Sequence, residues 1–364
     1  MNGYNGQVAL VLQGGGALGA YHVGVYEALH EAGVEPDWVI GTSIGAINGA
    51  IIAGNPPERR MERLEEFWRM VRSDESAKLW GMWPAVANAV VHASIVTKGI
   101  AGFFAPNADA AWGVHVPLGV EKAAFYKTAP LHGTLADLVD FNCVNSGKTR
   151  LTLGAVNVRT SEMRYFDGRG MALDARHVMA SGALPPAFPA VRIDGDPYWD
   201  GGIYSNTPTE VVLDDKPRKD TLIFAANVWH ATGPEPETIW QVMGRQKDIQ
   251  YASRATSHVM RQQQIHRLRH IIRELKRHIP DERCEDPEVK RMLDYGCATV
   301  MHLMPLHAPC LEGEDQTKDI DFTGDGIDSR RKAGYADTRR VLEEKPWEHC
   351  TDTMDGIIIH GAAQ

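Results

Sequence analysis

Near the start of the chain the apolar positions change period twice, and the changes mark out a strand–helix–strand–helix unit. Val8 to Leu12 is an unbroken apolar run, the pattern of a strand buried on both faces of a parallel sheet. From Ala17 to Ala32 the spacing becomes helical. Leu18, Tyr21, Val25, Ala28, Leu29 and Ala32 share one stripe, and Gly33 follows as a cap. Trp38 to Ile40 is a second short apolar strand, and a helix of small residues begins around Gly45. Beyond Pro56-Pro57 an amphipathic helix turns Met61, Leu64, Phe67, Trp68 and Val71 inward.

The pattern then loosens. From about Ser76 to Pro130, Trp80, Trp83, Phe103, Phe104 and Trp112 are interleaved with glycine, alanine and proline, and charge is sparse. Two readings fit: a lid or wall over an apolar substrate, or a small satellite core packed with aromatics. Gly133 to Phe141 predicts a short helix. Arg150 to Asn157 predicts a strand, with Glu162 to Phe166 as its hairpin partner. Leu173 to Gly182 reads as a helix, Tyr198 to Asp200 as the end of a strand, and Thr221 to Val228 as a buried strand. Strands and helices alternate through about residue 230, which predicts an α/β layered fold. Ile239 to Ile279 reads as one long helix or two, Val300 to Leu306 as a late strand, and Ile327 to Glu344 as a closing helix.

Composition narrows the functions. The chain has 364 residues, enough for one large domain plus an extension, or for two domains. Its formal net charge of -9 gives no electrostatic case for nucleic acid. The five cysteines, Cys143, Cys284, Cys297, Cys310 and Cys350, are scattered and odd in number, which argues against a disulfide framework and for a reduced, cytoplasmic setting. No signal-peptide pattern opens the chain and no stretch is apolar for long enough to span a bilayer, so any lipid contact is expected to be peripheral. The segment Ile239 to Ile279 carries nine Lys and Arg against two acids, with Ile265, Leu268, Ile271, Ile272 and Leu275 as an apolar stripe. It fits either a helix lying on an anionic membrane or, more simply, one packed on the main domain or on a second copy of the chain.

Two motifs carry chemistry. Gly41-Thr42-Ser43-Ile44-Gly45 is a G-x-S-x-G turn between strand and helix, which pushes a serine outward at the carboxyl end of a sheet. Ser43 then sits at a helix N-terminus, where free amides favour developing negative charge. Gly14, Gly15, Gly16 and Ala17 follow the first strand as the candidate oxyanion-hole residues. Gly14-x-Gly16-x-x-Gly19 also matches a dinucleotide fingerprint. That reading needs an acid at the end of the second strand, where Gly41-Thr42-Ser43 stands instead. The other reading aims the amides of Gly15, Gly16 and Ala17 at the oxygen of a tetrahedral intermediate on Ser43. No cofactor and no metal is called for. Asp321 to Gly326 resembles the start of a calcium loop, but its twelfth position is Lys332 where a glutamate is needed.

A serine hydroxyl needs a base. Of the fifteen histidines, His230, His302, His307 and His360 follow in the right order for a triad, though none stands in a glycine-flanked loop. The alternative is Asp200, followed by Gly201 and Gly202, acting directly in a two-residue site that leans on proximity and on the oxyanion loop.

These pieces together resemble a known family. Gly14-Gly15-Gly16-Ala17-Leu18-Gly19, Gly41-Thr42-Ser43-Ile44-Gly45 and Asp200-Gly201-Gly202 are similar, in order, to the three signatures of bacterial patatin-like phospholipases, and Ala180 to Pro185 resembles the segment between them. The resemblance covers roughly residues 7 to 210. It implies a three-layer α/β/α fold with a mainly parallel central sheet, and a Ser–Asp dyad of Ser43 as nucleophile and Asp200 as base. It also implies esterase or phospholipase A chemistry on an acyl-ester lipid without a metal. Many members carry Arg or Lys where this chain has Leu18. The implied layout is a catalytic domain over 7-230, with 76-130 as an aromatic-rich lid or pocket insertion. A mostly helical extension over 231-364 packs on it, similar to one in a bacterial branch. Acyl transfer, hydrolysis of short hydroxyalkanoate esters, and a non-catalytic membrane- or partner-binding module stand as alternatives, and a homo-oligomer is left open.

Overall fold

The computed structural model describes residues 6–73, 94–311, 314–349 and 354–361. Its strands are β1 (Gln7–Leu12), β2 (Trp38–Gly41), β3 (Ala105–Pro106), β4 (Tyr126–Lys127), β5 (Arg150–Asn157), β6 (Met163–Asp167), β7 (Val191–Ile193), β8 (Asp196–Asp200), β9 (Thr221–Asn227), β10 (Met301–His307) and β11 (Ile357–Ile359). The helices that matter for the site are α1 (Ala20–Glu31), α2 (Ile44–Ala53), α3 (Pro57–Val71), α4 (Ala175–Ser181), α5 (Ile239–Lys276) and α6 (Gly324–Glu344).

Nine strands form one sheet in the order β11-β10-β9-β1-β2-β5-β8-β7, with β6 also paired to β5. From β11 to β5 every neighbour is parallel, whereas β6, β7 and β8 join antiparallel. This is the mainly parallel sheet expected. β1 is central, which is why Ala9 to Leu12 are fully buried. Helices cover both faces: α1, α2, α3 and α6 share one large apolar core, and Val259 of α5 packs into a second core against Ala9, Val11, Ile40 and Ile223.

The boundary predicted near residue 230 does not separate two sheets. β10 and β11, from the extension, pair with β9 and with each other, so the region after 231 completes the sheet as well as packing on it. Its last long helix, α6, lies against α1 with backbones in near contact. A Cβ at Gly24 would stand 1.8 Å from the Arg331 carbonyl oxygen, and one at Gly334 would stand 2.2 Å from that of Tyr21. Ile239–Lys276 is one continuous helix of 38 residues, begun by Thr238 and Gln241 in a capping box. The helix expected over Gly133 to Phe141 instead starts at Ala129 and ends at Leu138, followed by a short helix from Phe141 to Asn145. β7 was not foreseen, although the Asp194-Gly195 turn that joins it to β8 is a hairpin signal, and both residues have positive φ.

Candidate active site

Strand pairing brings the two halves of the site together. A strand residue has two neighbours. Leu153 of β5 pairs with Gly41 on one side and Phe166 on the other, while Ala155 pairs with Asp200 and Arg164. β6 therefore keeps one edge of β5, and β2 and β8 share the other in succession. β8 takes over where β2 ends, so Asp200 arrives just beyond Gly41, beside Ser43.

Ser43 occupies the bend itself, with φ 57 and ψ -124, a conformation that costs about 1–3 kcal/mol. The bend is tight because its glycines are in backbone contact. A Cβ at Gly41 would lie 2.2 Å from the Gly45 carbonyl oxygen, and one at Gly45 would lie 2.2 Å from that of Leu12. The Ser43 amide donates to the carbonyl and to the hydroxyl of Ser181 at the end of α4, both at 3.1 Å. The Ser181 hydroxyl in turn donates to the Gly154 carbonyl at 2.6 Å. The bend at Ser43 is thus fixed to β5 through a serine that the Ala180 to Pro185 segment supplies.

Asp200 is 2% exposed. The Gly202 amide donates to its Oδ1 at 2.7 Å, and the Ser43 hydroxyl lies close enough to favour its charged form. Burial pushes its pKa up from the usual carboxylate range to about 7, and the Ser43 hydroxyl and Gly202 amide work the other way. Gly201 has no room for a side chain, since a Cβ would stand 2.5 Å from the Gly154 carbonyl oxygen.

The glycine loop lies across from Ser43. Gly14 was expected among the donors, but its amide is engaged by the Asn206 carbonyl at 3.2 Å. Its carbonyl accepts from Asn206 Nδ2 at 3.0 Å and from Trp229 Nε1 at 2.7 Å. Gly14 is the anchor of the loop. Among the described residues the amides of Gly15 and Gly16 have no acceptor, and these two glycines and Ser43 line one cavity. Gly16 holds φ +55, and a Cβ there would meet the Asp319 carbonyl oxygen at 2.2 Å. Leu18 is buried in the core beneath.

The cavity has a volume of ≈ 170 Å³. Its walls are mostly apolar: Ile44, Ile47, Phe103, Phe104, Phe188 and Phe322 face it alongside the polar groups already named. Phe103 and Phe104 come from the aromatic-rich insertion and pack edge-on with each other and against Phe188. Trp112 from the same stretch is 77% exposed, and Trp80 and Trp83 lie outside the described residues. The extension contributes directly, with Tyr251 from α5 and with Asp319, Ile320 and Phe322. Tyr251 and Asp200 line the same cavity, and burial with the charges of Asp200 and Asp319 pushes the Tyr251 phenol up to about 12.

The histidine alternatives are not brought to Ser43. His302 Nδ1 and His360 Nε2 face each other at 2.9 Å, His307 lines a separate cavity, and among the described residues no histidine lines this one. Asp321 spends its carboxylate on the Thr323 hydroxyl at 2.7 Å and on Arg330 at 3.1 Å, at the start of α6. Sequence reasoning missed Asn206, Trp229, Tyr251 and Asp319. The only local signal was that Trp229 follows directly on a buried strand.

Comparison with known proteins finds a family and several relatives by sequence. Residues 10–213 match the family described as patatin-like phospholipase, and residues 249–354 match one described as patatin phospholipase. A patatin-like phospholipase domain-containing protein of Caenorhabditis elegans, ZK370.4, is 27% identical over 206 residues, 56% of this chain and 12% of that protein. The lysophospholipase NTE1 of Mycosarcoma maydis is 29% identical over 208 residues, 57% of this chain and 9% of its own length. Human patatin-like phospholipase domain-containing protein 6 is 49% identical over 61 residues, 17% of this chain and 4% of its own length. The chain therefore spans only a small part of each of these relatives. The crystal structure of VipD from Legionella pneumophila aligns with a TM-score of 0.41 and 16% identity, over 98% of this chain and 72% of that one.

Proposed function

As the chain belongs to the patatin-like phospholipase family, we propose that it is a serine acyl hydrolase acting on an acyl-ester lipid. Asp200 takes the proton of Ser43, and the hydroxyl attacks the ester carbonyl. The amides of Gly15, Gly16 and Ala17 hold the resulting oxyanion, and the alcohol leaves with the proton. Water deprotonated by Asp200 then releases the acid from acyl-Ser43. The observation that carries this reading is a buried carboxylate beside the strained serine, with its pKa raised to about 7, lining the same apolar cavity. A base of that strength is half ionised near neutral pH, so a third group is not required. We assign 7–230 to the catalytic unit and 231–364 to an extension that supplies one wall of its cavity, of the kind found in a bacterial branch of the family.

A fluorophosphonate probe tests the reading. Wild-type protein is expected to be labelled and Ser43→Ala not, with ester turnover lost in both Ser43→Ala and Asp200→Asn. Labelling that survives in Ser43→Ala overturns it. Product analysis with added alcohol or lysolipid separates hydrolysis from acyl transfer, and a screen of chain lengths separates lipids from short hydroxyalkanoate esters. Liposome binding without turnover on any ester would leave a non-catalytic module.

Peripheral contact with an anionic membrane has its own support. Among the described residues no helix is long and apolar enough to cross a membrane. The start of α5 nonetheless exposes Ile239, Trp240, Val242 and Met243, with Trp240 at 61%. The basic stripe is weaker than its count suggests, because Lys247 pairs with Asp319, Arg267 with Asp355 and Arg277 with Glu274.

A further inference from the structure

A second cluster of reactive side chains lies outside the cavity. β9 and β10 pair in parallel up to Asn227 and His307, and the Ala308 amide still donates to the Asn227 carbonyl at 2.9 Å. Three residues past these ends stand His230 on one segment and Cys310 on the other, and Glu314 follows on the second. A ring nitrogen of His230, the Cys310 sulfur and a carboxylate oxygen of Glu314 all lie within 4.8 Å of one another.

We propose that His230, Cys310 and Glu314 bind one divalent transition-metal ion of the zinc type. The donor set is imidazole, thiolate and carboxylate, which suits borderline-soft Zn²⁺ and leaves a fourth position for water. Atoms around one such ion are about 3.3–3.8 Å apart if tetrahedral, so the three groups close on it by side-chain rotation. The ligands are also held ready. The His230 backbone is fixed, its amide donating to Asp248 Oδ1 at 3.3 Å and its carbonyl accepting from Arg245 at 2.9 Å. Among the described residues, nothing hydrogen-bonds the His230 ring or the Cys310 sulfur. Glu314 Oε1 accepts from the buried Arg330 at 3.0 Å, which leaves its other oxygen for an ion and orients it from behind. Two nearby cations are already matched by carboxylates, Lys318 by Asp248 at 2.7 Å and Arg330 by Glu314 and Asp321, and Arg245 is held by the His230 and Ala231 carbonyls.

The ion would take no part in ester chemistry. It would clamp two segments that wall the cavity. Trp229, next to His230, donates to the Gly14 carbonyl, and Asp319 follows five residues after Glu314. Binding to the folded state alone raises its stability.

The test uses the full chain, reduced and stripped with chelator, titrated with Co²⁺. One equivalent is expected to give a thiolate-to-cobalt charge-transfer band that Zn²⁺ abolishes. Cys310→Ser is expected to lose the band, and His230→Gln and Glu314→Gln to weaken binding by at least tenfold. Zn²⁺ is expected to raise the melting temperature of wild-type protein and not of Cys310→Ser. A band that is absent from folded wild-type protein, or unchanged in both Cys310→Ser and Cys310→Ala, overturns the assignment.

Discussion

Gly14 and Asn206 hold each other by two hydrogen bonds, amide to carbonyl at 3.2 Å and side-chain amide to carbonyl at 3.0 Å, across 192 residues of chain. The pair fixes the height of the glycine loop over Ser43. In Asn206→Ala the Gly14 carbonyl keeps its bond from Trp229, so no buried acceptor is orphaned and stability is expected to fall by only about 1 kcal/mol. The loop loses one of its anchors, and a small misplacement of reacting groups costs on the order of 100-fold in rate. Steady-state kinetics beside a urea melt should therefore show a large drop in kcat with a small shift in midpoint.

Asp200 predicts two pH dependences. As a base it must be ionised, so kcat/KM is expected to fall as pH drops through about 7. A carboxyl whose folded pKa lies above its unfolded value binds its proton more readily when folded. The folded state therefore loses stability as pH rises between the two values, here from about 4 to about 7. The penalty at pH 8 is on the order of 4 kcal/mol. Asp200→Asn keeps the acceptor for the Gly202 amide and removes the charge, so it is expected to be more stable than wild type at pH 8 and to lose that advantage by pH 4. Chemical denaturation at the two pH values measures this. A wild-type activity profile flat from pH 5 to 8 would exclude Asp200 as the base.

Phe104 is a buried wall of the cavity, packed against Tyr126 and Phe188. Phe104→Ala is expected to destabilise the protein by about 3–5 kcal/mol and to leave added space beside the acyl chain. The preferred ester should shift to longer or branched chains, read as the ratio of kcat/KM across a chain-length series.

Gly24→Ala puts a methyl group against the Arg331 carbonyl at the crossing of α1 and α6. Alanine gains about 1 kcal/mol of helix propensity over glycine. The clash forces the helices apart and costs about 1–3 kcal/mol or more. Net destabilisation is expected, visible as a lower urea midpoint.

Much of the candidate site's geometry was legible because its backbone requirements are local. A serine between Gly41 and Gly45, three glycines after a strand, and Asp200 before two glycines each state a backbone requirement within a few residues. The sheet core was legible for the same reason, since Val8 to Leu12 and Thr221 to Val228 have no polar face. Asn206, Trp229, Tyr251 and Asp319 were not legible, because each acts on a partner far away in sequence and none sits in a pattern that demands it. The strand character of Met301 to His307 was visible, but its place in the central sheet was not. Which strand a buried run pairs with is decided by packing, and a run of Met, Leu and His does not specify its neighbour.

The contact between α1 and α6 joins helices near opposite ends of the described residues. During synthesis α1 leaves the ribosome some three hundred residues before its partner exists, and β1 waits nearly as long for β10 to follow β9. The part of α1 that faces α6 stays uncovered throughout that interval. Closure of that core thereby waits until α6 has been made, and uncovered apolar surface in a partial chain favours aggregation.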